Sequence, residues 1–131
     1  MGAKKPQLTP LEWEIMRNIW KFNGPVSVRQ VLSEAYPDGE KAYTTVQTVM
    51  NKLFQKGFLK RQKIGMVNFY QPAKKQSTIL RHEIQQFAQR TFGGSLPALV
   101  NFLFETDSLS AGEIASLKQL IEDKSKSGGA E

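Results

Sequence analysis

The chain has 131 residues, enough for one domain with a small appendage, and a formal net charge of +6 that favours an anionic partner. It contains no cysteine and a single histidine, His82; disulfides, thiolate metal sites, thiol redox switches and a histidine-based metal centre are therefore not expected. No apolar run approaches the ~18 residues a bilayer span needs, and Met1–Pro6 lacks the apolar core of a signal peptide, so the chain reads as soluble and cytoplasmic, without membrane insertion.

The charge is unevenly placed. Through Lys75 there are 13 Lys+Arg against 5 Asp+Glu, a net of +8; from Gln76 onward there are 5 against 7, a net of −2. Affinity for phosphate belongs to the first part.

In chain order, Thr9-Pro10-Leu11-Glu12 combines a capping box with proline at the first helical position. A helix follows to about Trp20 or Phe22, its apolar face made by Leu11, Ile15, Met16, Ile19 and Trp20, and Asn23-Gly24-Pro25 ends it. Trp13 and Trp20 read as packing aromatics rather than base-stacking residues. Ser27-Val28-Arg29-Gln30 is a second capping box, opening a short helix to about Ala35, and Pro37-Asp38-Gly39 is a turn.

The third helix, around Ala42–Leu53, is the most informative. At about 100° per residue, Val46, Val49, Met50 and Leu53 share one apolar face. Thr44, Thr48, Asn51 and Gln55 lie opposite, flanked by Thr45, Gln47 and Lys52. An ordinary solvated face would mix Glu and Lys; this one carries hydroxyls and amides and no carboxylate. Such groups donate to and accept from base edges, and a threonine methyl packs on a thymine methyl. Thr44-Thr45-Val46-Gln47 repeats the capping pattern, which would engage the Thr44 hydroxyl and leave Thr45 and Thr48 as better DNA contacts. Thr44, Thr45, Gln47, Thr48, Asn51 and Lys52 are the candidate base-reading residues.

Lys56-Gly57 stops that helix. Phe58–Ile64 and Met66–Gln71, separated by Gly65 and closed by Pro72, read as a β-hairpin. Lys60, Arg61 and Lys63 near its tip are candidates for DNA-backbone contacts. Three helices followed by a basic hairpin predict a mainly α, winged helix-turn-helix domain over 1–75, with the hairpin as wing.

Beyond Pro72 three amphipathic helices are expected. The first spans Ser77–Phe92 and breaks at Gly93-Gly94. The second spans Leu96–Phe104, and the third is capped by Ser110-Ala111-Gly112-Glu113. This is too little chain to enclose its own core, so its apolar faces need a partner. Packing onto the winged domain is one option. A twofold dimer is favoured, because palindromic DNA sites suit twofold proteins. A helical dimerisation domain is placed at 76–124, with Phe102, Leu103, Leu117 and Leu120 as its apolar seam, and a disordered tail at 125–131.

Leu8-Thr9-Pro10-Leu11-Glu12-Trp13-Glu14-Ile15-Met16 with Ile19-Trp20, and Ala42–Leu53 with Lys56-Gly57-Phe58-Leu59, resemble the penicillinase-repressor family, BlaI/MecI, with its copper-responsive CopY relatives. The likeness covers roughly residues 7–122. It implies a dimeric winged-helix repressor on palindromes of TACA/TGTA-type half-sites, with a C-terminal helical dimerisation region. In the antibiotic-resistance branch it also implies release through a membrane sensor-transducer with a cytoplasmic metalloprotease, by cutting an Asn–Phe bond. Asn101-Phe102 stands at the matching position. Two departures are plain: without cysteine the copper-sensing motif is missing, and Met66 replaces the arginine frequent after the wing glycine.

The functional expectation is a homodimeric, sequence-specific repressor of double-stranded DNA at inverted repeats, with no cofactor and no metal. The alternatives are a winged-helix module for RNA or protein, or a small-ligand-responsive DNA-binding regulator. An enzyme is not expected: His82-Glu83 lacks the second histidine of a zinc helix, and there is no Gly-rich phosphate loop or nucleophile elbow. His82 reads as a polar helix residue.

Overall fold

The computed structural model describes residues 7–128. Among the described residues the order is α1 (Pro10–Ile19), α2 (Val28–Ala35), α3 (Tyr43–Gln55), β1 (Leu59–Ile64), β2 (Val67–Pro72), α4 (Gln76–Phe92), α5 (Leu96–Glu105) and α6 (Ala111–Gly128). The chain divides into two compact units, one up to Arg81 and one from His82.

In the first unit, α1 starts on a reciprocal capping box. The Thr9 N–H donates to Glu12 Oε1 at 2.8 Å, and the Glu12 N–H donates to Thr9 Oγ1 at 3.1 Å. The helix ends at Ile19, slightly before the expected Trp20–Phe22. There the Lys21 and Phe22 N–H groups bond three residues back, to Asn18 and Ile19, so the last turn tightens. Ser27 and Gln30 form the second capping box, which starts α2.

Ile15, Met16 and Ile19 of α1, Val31 of α2, and Val46, Met50 and Leu53 of α3 are fully buried together. The apolar periodicity of each helix is therefore the core itself. Trp13 and Trp20 pack against this core with ring centroids 6.3 Å apart.

α3 ends in a Schellman motif: the Phe58 N–H bonds Leu53 O at 2.9 Å, the Gly57 N–H bonds Phe54 O at 3.1 Å, and Gly57 takes φ +89°. Phe58 and Leu53, both buried, supply the apolar contact that accompanies this geometry. The chain is thereby turned directly into β1. The hairpin pairs Leu59 with Pro72 through Ile64 with Val67, leaving Gly65-Met66 as a two-residue turn. Gly65 has φ +64°, and a glycine at the first central position suits the type II′ hairpin turn.

An isolated bridge to the hairpin was not expected. Val26 and Tyr70 exchange both backbone hydrogen bonds, at 2.8 and 2.7 Å. Both side chains are buried, so the base of the hairpin is fixed to the segment between α1 and α2.

The domain boundary expected after Lys75 moves to Arg81, because α4 begins within the first unit and Ile79 packs into its core. A break after Lys75 would remove that residue.

In the second unit α4 ends on Gly93 (φ +59°) and Gly94 (φ +89°), and Ser95 caps α5 by accepting from the Ala98 N–H at 3.1 Å. Phe92 lies 6.4 Å from Phe87 and 5.7 Å from Phe102, ring centroid to ring centroid. Ser110 and Glu113 make the expected capping box at the start of α6. That helix runs on to Gly128, correcting the tail expected from 125: no breaker precedes Gly128, and lysines suit a helix C-terminus. Residues 129–131 of that tail lie outside the described residues. No described helix is long and apolar enough to cross a membrane.

Candidate nucleic-acid interface

The outer face of α3 differs from the sequence reading at its first turn. The helix is capped at Ala42, with no side-chain cap bond, because Ala42 takes the extended conformation (φ −78°, ψ 154°) and its carbonyl accepts from the Val46 N–H. The expected capping by Thr44 is thereby corrected. Thr44 lies inside the first turn and is exposed, while Thr45 is half-buried on the flank. The more available hydroxyls are those of Thr44 and Thr48. Gln47 and Lys52 are exposed and Asn51 is half-buried.

The hairpin's pleat splits its three basic residues. Arg61 pairs with buried Tyr70, and two-residue alternation puts Leu59, Arg61 and Lys63 on one face. Lys60 falls on the other. All three are exposed. The Arg61 guanidinium crosses to α3: Nη1 donates to Asn51 Oδ1 at 2.7 Å, and its central carbon sits 4.1 Å from the Phe54 ring centroid. Wing and third helix are thus joined by side chains as well as by chain continuity.

Charge extends beyond the residues chosen from sequence. Arg29 of α2 stacks over Tyr43 at 4.9 Å. With Lys41 it borders a cleft of about 380 Å³ that Tyr36 also lines. Burial first, then the neighbouring Glu14 carboxylate, push the Tyr36 hydroxyl up to about 12. The sequence offered no signal for Arg29 or Lys41 beyond their charge. The α2–α3 packing brings Arg29 to the first turn of α3, whereas Lys41 stands there by chain continuity, just before the Ala42 cap.

Lys56 also has a role the sequence concealed. Its Nζ donates to Glu12 Oε1 at 2.8 Å and to the Gln7 carbonyl at 3.0 Å. Glu12 is only 3 % exposed. Burial by itself would raise its carboxyl, but hydrogen bonds from Lys56 and Thr9, with the Lys56 charge, hold it below the ordinary value. The end of α3 is thereby tied to the start of α1, which fixes the tilt of the helix bearing the polar face.

In the second unit, Phe102 and Leu120 are exposed, and Leu103 and Leu117 are half-buried. Leu96, Val100, Phe104 and Ile121 are exposed as well. Asn101 and Phe102 lie within α5, and Asn101 Nδ2 is 3.5 Å from Glu105 Oε1.

The profile of the penicillinase repressor family matches residues 8–123. The chain belongs to the penicillinase repressor family. It is 32% identical over 120 residues to the penicillinase repressor of Bacillus licheniformis, covering 92% of this chain and 93% of that protein. It is 27% identical over 126 residues to the penicillinase repressor of Staphylococcus aureus, covering 96% and 99%. Among solved structures, the DNA-binding domain of the repressor BlaI is similar at a TM-score of 0.50 and 32% identity, over 58% of this chain and 92% of that one. The family consists of transcriptional regulators, not enzymes, and its match spans both units of this chain.

Proposed function

We propose that this protein is a sequence-specific repressor that binds double-stranded DNA as a homodimer at an inverted repeat, from the cytoplasm. The observation that carries this reading is the outer face of α3: exposed hydroxyl, amide and lysine groups, no carboxylate, and a basic hairpin braced beside it. In this reading α3 lies in the major groove. Thr44, Thr48, Gln47 and Asn51 meet base edges, with Thr45 and Lys52 at the margins. Lys60, Arg61, Lys63 and Arg29 supply phosphate affinity. The relatives' names as repressors and the BlaI DNA-binding domain support it. Footprinting is the test. Two protected half-sites related by a dyad are expected; one asymmetric footprint, or preference for single strands or RNA, overturns the reading.

The second unit supplies dimerisation in this proposal, through the apolar groups of α5 and α6, among them exposed Phe102 and Leu120 and half-buried Leu103 and Leu117. Release follows cleavage of the Asn101–Phe102 bond under the control of a membrane sensor-transducer. Because that bond is helical, local opening of α5 must precede attack. A protease site engineered at this bond tests it: the cut protein should lose both dimer and operator affinity. If it keeps both, an effector-driven release replaces it.

A further inference from the structure

We propose that Arg61 is a positioning residue that fixes which edge of Asn51 faces the DNA groove, and thereby sets the base preferred opposite Asn51. The inference rests on the DNA-binding reading and adds a specificity determinant to it. A guanidinium carries only donors. With Arg61 Nη1 2.7 Å from Asn51 Oδ1, the amide oxygen must face the wing, since a flipped amide would set donor against donor. The Nδ2 group is then the edge that remains to meet a base.

Arg61 is itself held in place. Its guanidinium lies 4.1 Å from the Phe54 ring centroid. Its backbone pairs with Tyr70, two residues from buried Leu59. An unrestrained asparagine reads adenine with both ends of its amide, accepting from N6–H and donating to N7. An asparagine whose oxygen is turned to the guanidinium presents its Nδ2 donors to the groove. It therefore favours guanine, whose N7 and O6 are both acceptors. On this account the wing acts on specificity through α3 rather than on affinity alone.

The test uses the full-length protein and a randomised duplex pool, followed by single-base substitution across the selected half-site at fixed salt. The wild type should prefer guanine to adenine by about 5-fold or more at one base pair, the scale of one base contact. Asn51→Ala should abolish that preference. Arg61→Ala should shift it toward adenine, and the double variant should match Asn51→Ala in base profile. Arg61→Lys, which keeps the charge but not the fork or the stack, should lose much of the preference while keeping most affinity for random DNA. If the Arg61 variants weaken binding to every sequence alike and leave the base profile unchanged, Arg61 serves phosphate affinity alone and the proposal falls. A wild type with no sequence preference on duplex DNA would overturn the DNA-reading proposal itself, a distinct outcome.

Discussion

On the proposed function, single residues divide into those that meet bases and those that hold the fold. Thr48 is exposed in the middle of the polar face, and its side chain makes no hydrogen bond among the described residues. Thr48→Ala should therefore cost on the order of 1–3 kcal/mol at the preferred site and little on random DNA, measured by titration on both duplexes. Equal losses on both would remove Thr48 from base reading. Glu12 is of the other kind: it caps α1 and receives Lys56. Glu12→Gln should lower stability by about 2 kcal/mol, the scale of a hydrogen bond to a charged group, seen in urea melts. Since its folded-state pKa is depressed, the charge's contribution is complete above the ordinary value of 4.5 and is lost as pH falls through the lower folded value. The gap between wild type and variant should accordingly narrow in acid. A gap that widens there would contradict the depressed pKa.

At the scale of elements, the wing and α3 make different contributions to the interface proposed above. Lys63 shares the strand face of Arg61 but lies nearer the turn, while Lys60 projects from the opposite face. If each meets one phosphate, Lys63→Ala and Lys60→Ala should each weaken binding to all sequences and reduce the salt slope by about 1. Affinity measured across a salt series checks this, and an unchanged slope would remove that lysine from the phosphate contacts. The paired-strand order was legible from Gly65 between two short segments closed by Pro72. The Val26–Tyr70 pairing was not, because one residue between Pro25 and Ser27 has no periodicity to display. The Thr44 cap failed for a related reason. The helix starts two residues earlier, at Ala42, which has no capping side chain, so its start follows the packing of Val46 and Met50 rather than local cap chemistry.

For the whole molecule, the two units set the limits of any truncation. A chain ending after Arg81 keeps Ile79 in the core of the first unit, and should be a folded monomer with weak DNA binding. Loss of the linked second half-site removes the gain from effective concentration. A chain ending after Lys75 lacks Ile79 and should be less stable by about 2–5 kcal/mol, the cost of emptying a buried aliphatic site. Sedimentation and thermal melts of the two fragments check this. A dimeric 1–81 fragment would move the interface into the first unit.

The sequence by itself determined the capping boxes of α1, α2 and α6, the apolar faces of the helices, the glycine stop after α3 and the hairpin turn. Each depends on residues close together in the chain, where period and cap chemistry suffice. The polar composition of the α3 outer face was equally plain, as no packing is needed to see that a face lacks carboxylates. Only the tertiary structure decided that Glu12 and Lys56 meet across 44 positions of chain, that Arg61 engages Asn51 and Phe54, and that Arg29 lies over Tyr43. These pairings join charged and polar side chains from different elements. Such groups carry no periodic signal, and their partners are chosen by how α1, α2, α3 and the hairpin pack around one core.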